Sequence, residues 1–123
     1  MIKLVFCLRR KPGMTLAEFQ DYWLNKHGPL VRSHAKTLRI RRYVQTHTLD
    51  DPGAQQALAR SRGAPQGYDG VAELWWDSRE EMAAGVATPE GRAASIALLE
   101  DERKFIDHTN SPLWLAEEHE MLS

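Results

Sequence analysis

The stretch "GVAELWWD", residues 70–77, decides the fold, because it predicts a strand with large side chains on both faces. Side chains alternate along a strand, so Val71, Glu73 and Trp75 share one face. The opposite face carries Ala72, Leu74 and Trp76. Helices cover one face of such a sheet, and the second face requires another layer. We expect a second copy of the chain to supply it, in a homodimer with its sheets packed face to face.

Three further strands are predicted around this one, at residues 1–10, 38–49 and 112–120. The first, "MIKLVFCLRR", alternates between a strongly apolar face and a mixed one. The second, "LRIRRYVQTHTL", is rich in β-branched and aromatic residues. Its alternation slips near Arg41 and Arg42, which predicts a bulge.

Cap signals predict the helices between these strands. Thr15 with Glu18, and Ser78 with Glu81, have the spacing of a capping box, in which two side chains satisfy free backbone N–H groups. A Thr-Pro pair at residues 88–89 combines an N-cap with proline at the first helical position, which predicts a third helix. No secondary structure is assigned to "RKFID", residues 103–107.

The first helix carries an apolar stripe that ends in a histidine. Phe19, Trp23 and His27 recur at helical spacing, so all three are expected to face the interior. Gly28 and Pro29 follow directly and are expected to interrupt the helix at the mouth of a cavity. The alternative to a complete stop is a kinked extension of the helix through Leu30, Val31 and His34.

A segment dense in Gly, Pro, Asp and Ser follows the second strand, at residues 50–67. We expect a long loop there with at most one helical turn, at residues 54–59. The order of elements is therefore β, α, β, β, α, α, β. This order predicts an α+β, ferredoxin-like βαββαβ sandwich in a single domain, residues 1–123, with a cavity between sheet and helices.

Composition and net charge argue against some classes of binding partner and indicate a cellular compartment. Sixteen basic and 17 acidic residues give a net charge of −1, so the chain has no net positive field to attract nucleic acid or an anionic membrane. No run reaches the roughly 20 apolar residues of a membrane helix. One cysteine, Cys7, excludes an internal disulfide and is typical of a reducing compartment, so we expect a cytoplasmic protein.

Three segments carry a resemblance to the EthD family of the dimeric α+β barrel superfamily. They are "FQDYWLNKHGPL", "YDGVAELWWDS" and "EDERKFID", at residues 19–30, 68–78 and 100–107. The resemblance implies a ferredoxin-like subunit, dimerisation through the sheets and a pocket between sheet and helices. It leaves the reaction open, because fungal relatives resemble polyketide dehydratases and other branches include cofactor-free monooxygenases, lactone isomerases and haem-handling proteins.

His27 is the candidate catalytic residue. A histidine beside a pocket takes or gives a proton near neutral pH, which makes it a candidate general acid/base. The alternative interpretation is a structural one: His27 bonds a backbone carbonyl that the Gly-Pro break leaves free.

Four other residues are candidates for substrate binding: Tyr22, Trp23, His47 and Glu73. Tyr22 and Trp23 are predicted to line the site as its aromatic wall. His47 lies on the second strand and faces the sheet interior or the partner, depending on the bulge. Glu73 interrupts an apolar strand, where it would accept a hydrogen bond from substrate or, as we favour, pair with an arginine of the second strand (Arg39, Arg41 or Arg42).

Two hypotheses about function follow. The first is a small EthD-like enzyme that needs no cofactor, acting on an apolar aromatic or polyketide-like carbonyl compound as a dehydratase, isomerase or monooxygenase. The second is a non-catalytic accessory protein that binds a hydrophobic metabolite, or haem, for a separate oxidase.

No phosphate-binding or dinucleotide motif is present in the sequence. Glu117 and His119 share a predicted strand face but lack a third ligand, so no metal site is predicted.

Overall fold

A computed structural model describes residues 1–123 and contains one four-stranded antiparallel sheet of order β2-β3-β1-β4. The strands are β1 (Ile2–Leu8), β2 (Arg42–His47), β3 (Gly70–Trp76) and β4 (Leu113–Ala116). The helices are α1 (Leu16–Tyr22), a π-helical turn (Trp23–His27), α2 (Gly28–His34), α3 (Pro52–Arg62), α4 (Arg79–Ala87), α5 (Pro89–Glu102) and a 3₁₀ turn (His108–Asn110). The α+β class and the ferredoxin-like arrangement predicted above are confirmed.

The core lies between one face of the sheet and the helices. From the sheet it takes the side chains of Phe6, Leu8 and Ala72, as the predicted alternation of β1 and β3 requires. The other members are Phe19, Trp23, Phe105 and Ile106. Phe105 and Ile106 belong to the segment without an assigned state, and they anchor the chain after α5 in the core.

The first helix begins as predicted and then differs from the expectation. Thr15 and Glu18 form the capping box. The chain has no break at Gly28 and Pro29 and stays helical through both residues to His34, so the alternative of a helical extension is the correct one. A π-helical turn takes the place of the break: the N–H of Gly28 donates to the carbonyl of Trp23, five residues back, and Pro29 is the second residue of α2, where a missing N–H is tolerated.

The second strand begins at Arg42, and the N–H of Arg41 donates to the carbonyl of Trp75, the residue that pairs with Arg42. Two residues therefore oppose one at the predicted slip, as in a bulge, and a turn with Arg39 at a φ of 61° precedes it. One expectation in the middle of the chain is corrected. The expected loop contains a full helix, α3, of 11 residues. The side chain of Asp51 caps its first turn and Gly63, in the left-handed conformation, ends it.

The later helices follow their cap signals, and the last strand is shorter than predicted. Ser78 and Thr88 accept backbone N–H groups at the starts of α4 and α5. The second half of the capping box predicted at Ser78 does not form, because the carboxylate of Glu81 accepts from Arg39 instead. β4 ends at Ala116, so Glu117 and His119 lie beyond it and do not share a strand face.

The second face of the sheet carries apolar side chains that are partly or largely exposed, among them Val5, Val44, Val71 and Trp114. Trp75 on this face is covered by the chain itself, because Lys3 and Arg42 lie over its indole ring and Glu118 accepts its N–H.

No helix has the length and apolar character needed to cross a bilayer.

Candidate active site

His27 ends the π-helical turn and is 5% exposed, packed against the ring of Phe105 at a centroid distance of 5.0 Å. Its Nδ1 lies 2.8 Å from Oδ2 of Asp101. A carboxylate only accepts hydrogen bonds, so Nδ1 carries a proton and donates it to this bond. In the neutral ring this fixes Nε2 as the unprotonated nitrogen.

The Nε2 atom of His27 is available from the space beside it. Nε2 takes part in no hydrogen bond of the chain. Every fully buried side-chain nitrogen or oxygen has a hydrogen-bond partner, so Nε2 is not fully buried. His27 is one of the residues that line an internal cavity. A bare imidazole nitrogen in such a position is able to take a proton from a bound molecule.

Asp101 orients this histidine and is itself held by other donors. The hydroxyl of Tyr22 donates to its Oδ1 at 2.6 Å, and Nζ of Lys104 lies 3.5 Å from the same oxygen. Burial alone would raise the pKa of Asp101. The hydrogen bonds from Tyr22 and His27, with the charges of His27 and Lys104, outweigh burial and lower this pKa below 3.8.

Tyr22 is fixed in the donor role. Burial, together with the hydrogen bond to the Asp101 carboxylate and its charge, raises the pKa of the Tyr22 hydroxyl to about 12. The hydroxyl therefore keeps its proton over the physiological range. Tyr22 reaches the site through Asp101 and does not line the cavity.

The cavity has a volume of about 210 Å³ and lies between the sheet and the helices, as predicted. Sixteen of its 19 lining residues are hydrophobic, and Trp23 is among them. The polar ones are His27, Ser95 and Glu102, and the carboxylate of Glu102 lies 3.1 Å from Nε2 of His108. A cavity of about 150 Å³ is known to hold benzene. The space beside His27 therefore suits a compact, apolar molecule.

His47 lies near this cavity but outside it. Its ring stacks on Trp23 at a centroid distance of 4.5 Å, and its Nε2 donates to Oε1 of Gln45 at 2.7 Å. Burial lowers the pKa of His47. It lines a separate surface groove, which is described below.

Glu73 lies on the opposite face of the sheet, away from His27. The preference for a salt bridge was right in kind, but the expected arginine partners are wrong, because Glu73 pairs with Nζ of Lys3 on the neighbouring strand. The structure thus brings Tyr22, Trp23 and His27 together on the helix-covered side of the sheet, whereas Glu73 lies on the other side.

The structural interpretation of His27, a bond to a freed backbone carbonyl, is also wrong. The carbonyl of Trp23 accepts the side-chain amide of Gln45 at 2.9 Å, and the partner of His27 is Asp101. Sequence reasoning missed Asp101. The signal that could have identified it is its spacing along α5, where Ala94, Leu98 and Asp101 follow at i, i+4 and i+7 on the stripe that leads to Phe105.

Comparison with known proteins identifies a matching family model and solved structures with the same fold. The EthD domain model matches residues 11–109. An EthD family protein from Bacillus halodurans has 23% identity and a TM-score of 0.61, with 97% of this chain and 100% of that chain covered. A dimeric protein of ferredoxin-like fold from Bacteroides fragilis has 11% identity and a TM-score of 0.59, with 95% of each chain covered.

A third solved structure with this fold is SnoaB from Streptomyces nogalater, described as a cofactor-independent oxygenase. It has 15% identity and a TM-score of 0.57, with 98% of this chain and 95% of that chain covered. At these identities the solved structures show the fold alone. No curated protein matches this chain.

Proposed function

The chain belongs to the EthD domain family, and on that premise we propose that it is a small enzyme that removes a proton from an apolar aromatic carbonyl compound. The observation that carries this proposal is the state of His27. Its Nδ1 is occupied by the Asp101 carboxylate, and its Nε2 is open beside an apolar cavity. His27 is the general base, and Trp23 supplies part of the aromatic wall.

The proton-transfer step uses the two sides of the imidazole ring. Nε2 takes a proton from an acidic C–H next to the substrate carbonyl, and the electron pair of that bond moves to the carbonyl oxygen as an enolate. The ring becomes an imidazolium, which the Asp101 carboxylate stabilises through Nδ1–H. General-base catalysis of this kind contributes about 10²- to 10⁴-fold in rate.

Three reactions start from this enolate. Return of the proton to another carbon gives an isomerisation. Transfer of the proton to a departing hydroxyl group gives a dehydration and releases water. Reaction of the enolate carbon with molecular oxygen gives a peroxide, which loses water by O–O cleavage and leaves one oxygen atom on the product as a new carbonyl; this is an oxygenation, the class named for SnoaB. All three need the same base, so a test of proton removal covers them together.

The cavity also limits the substrate. About 210 Å³ with mainly hydrophobic walls suits a substrate of one or two rings with few polar groups. Haem, with its four pyrrole rings, is too large for this space. Among the earlier hypotheses we therefore favour an enzyme acting on a small aromatic ketone over a haem-binding accessory protein.

Deuterium exchange into 2-tetralone tests the proposal, because this two-ring ketone has acidic C–H groups next to its carbonyl. The wild-type protein in D₂O is expected to accelerate exchange over buffer, measured by proton NMR, and His27→Gln to lose about 100-fold or more of that acceleration. His119→Gln, which removes an exposed histidine beyond β4, is the matched control and should exchange at the wild-type rate.

Two outcomes would count against the enzyme. Equal exchange with wild type and His27→Gln would show that His27 is not the base. Binding of 2-tetralone without accelerated exchange would favour the non-catalytic accessory protein.

We also propose that the protein forms a homodimer through the open face of its sheet. Val5, Val44, Val71 and Trp114 give this face an apolar surface that a second sheet would cover. The solved structure from Bacteroides fragilis is described as dimeric, which supports the same arrangement here.

We propose that the protein is cytoplasmic, and its cysteine content supports this. Cys7, the single cysteine, is free and buried. A chain without disulfides is typical of a reducing compartment.

A further inference from the structure

A second concave site lies on the surface between α2 and the edge strand β2. This groove has a volume of about 540 Å³ and is lined by 12 residues. Its volume falls in the range of small-molecule sites, roughly 300–1,000 Å³. The catalytic step proposed above does not use it.

The charged side chains that line the groove are all positive. Arg32, Arg41 and Arg42 line it, and no aspartate or glutamate does. Arg41 has a carboxylate partner at 3.5 Å, Asp77, and the guanidinium of Arg42 lies over the Trp75 ring on the open face of the sheet. Arg32 has no carboxylate within ion-pair distance. The chain as a whole carries a net charge of −1, so the positive charge is local to this groove.

His47, which also lines the groove, adds no positive charge at neutral pH because burial lowers its pKa. The arginines therefore supply the positive field, and it is independent of pH over the physiological range.

The same groove also has apolar walls. Leu24, Pro29 and Ile40 line it beside the arginines, and Leu24 is 57% exposed. A large apolar side chain exposed next to the unpaired guanidinium of Arg32 and the exposed, weakly paired one of Arg41 matches a ligand with one apolar part and one anionic part.

We propose that this groove binds a small organic anion, in which a carboxylate or phosphate group sits against the arginines and an apolar body lies along Leu24, Pro29 and Ile40. Guanidinium groups recognise both kinds of oxyanion through paired N–H donors. The inference does not depend on the proposed catalysis by His27. Val31, Ile40 and Tyr43 line both the groove and the cavity, so the two sites share a wall.

Calorimetric titration with three matched naphthalenes tests the groove: 2-naphthoate, 2-naphthyl phosphate and the neutral 2-naphthamide. At low ionic strength the wild type is expected to bind at least one anion about tenfold or more tightly than the amide, and the stronger anion identifies the preferred oxyanion. The double variant Arg32→Gln, Arg41→Gln should lose about tenfold in affinity for that anion.

The controls separate the groove from the cavity and from general charge effects. Arg60→Gln removes an exposed arginine of α3 outside the groove and should bind like the wild type. His27→Gln should also leave anion binding unchanged, even if it abolishes deuterium exchange. Equal affinity for amide and anions, equal loss in Arg60→Gln, loss in His27→Gln, or no binding at millimolar anion would each overturn the inference.

Discussion

Asp101 accepts hydrogen bonds from His27 and Tyr22 while its side chain is only 11% exposed. Each donor satisfies one carboxylate oxygen, and the ring of His27 cannot turn without breaking its bond to Oδ2. The carboxylate thus sets both the tautomer and the orientation of the imidazole. A buried carboxylate with this many donors is expected to matter for stability as well as for chemistry.

Replacement of Asp101 by Asn is expected to lower stability at neutral pH by about 1.5–3 kcal/mol, the usual contribution of hydrogen bonds to a charged group. The pKa of Asp101 is lowered on folding from 3.8, so its stabilisation is complete above that value and is lost as the pH falls through the folded-state pKa. Urea unfolding of wild type and Asp101→Asn at pH 7 and pH 3 should give a smaller difference at pH 3.

The matched control is Asp50→Asn, an exposed position, where the same change should leave stability within about 0.5 kcal/mol of the wild type. A difference between Asp101→Asn and wild type that stayed constant with pH would contradict a stabilising role of the charged carboxylate.

For individual residues, the sequence predicted which side chains face the interior better than it predicted their hydrogen-bond and ion-pair partners. Helical spacing placed Trp23 and His27 in the interior, and both are buried. Asp101 lies 74 residues from His27, and local periodicity contains no information about which distant group meets a buried histidine. Glu73 was assigned the wrong partner for the same reason, because cross-strand register decides its pairing with Lys3.

The π-helical turn is the element that places His27. It joins α1 to α2 without a break in the helical backbone, and the extra residue in the turn accommodates Pro29. Gly28 sits where the side chain of Gln45 approaches the helix: a Cβ there would lie 3.0 Å from Nε2 of Gln45 and 3.3 Å from the carbonyl of Trp23. Gln45 satisfies that carbonyl, so space at Gly28 keeps the turn bonded to β2.

Gly28→Ala is therefore expected to destabilise the protein by about 1–3 kcal/mol, because the added methyl group displaces Gln45 and removes one of the two donors to the Trp23 carbonyl, the other being the N–H of residue 28. Gly67→Ala is the matched control, since nothing lies within 4 Å of a Cβ there. Thermal unfolding of both variants measures the effect. A Gly28→Ala variant as stable as Gly67→Ala would show that the close approach of Gln45 is not needed.

Helices whose cap signals were recognised in the sequence are confirmed, and α3, whose cap signals were overlooked, was missed. The caps at Thr15, Ser78 and Thr88 each begin a helix because their hydroxyls satisfy nearby N–H groups. α3 was expected to be a loop because Gly and Pro dominate the composition of its surroundings. The Asp51 cap and the Gly63 stop, which bound an alanine-rich segment, are the signals that define it.

The whole molecule has one sheet face covered by helices and one that is open. Large residues on both faces of β3 predicted this asymmetry, and the structure confirms it. Trp114 on β4 lies opposite Val5 of β1 on the open face and is 48% exposed. A half-exposed tryptophan of this kind is typical of an interface anchor.

Trp114→Ser is expected to weaken the proposed dimer by about 2 kcal/mol or more, roughly 30-fold in dissociation constant. Analytical ultracentrifugation over a concentration series measures the change. Ile96→Ser, which removes an exposed apolar side chain from α5, should leave the dimer intact. A monomeric wild type, or an unchanged constant for Trp114→Ser, would show that this face does not join two copies.

Asp101 holds His27 with Nδ1 protonated and Nε2 free beside the cavity. Nitrogen-15 NMR of the histidine side chains measures this directly, because protonated and bare ring nitrogens differ widely in chemical shift. In the neutral ring we predict that His27 shows a protonated Nδ1 and a bare Nε2, and that Asp101→Asn removes this preference. A neutral His27 with its proton on Nε2 in the wild type would contradict the account.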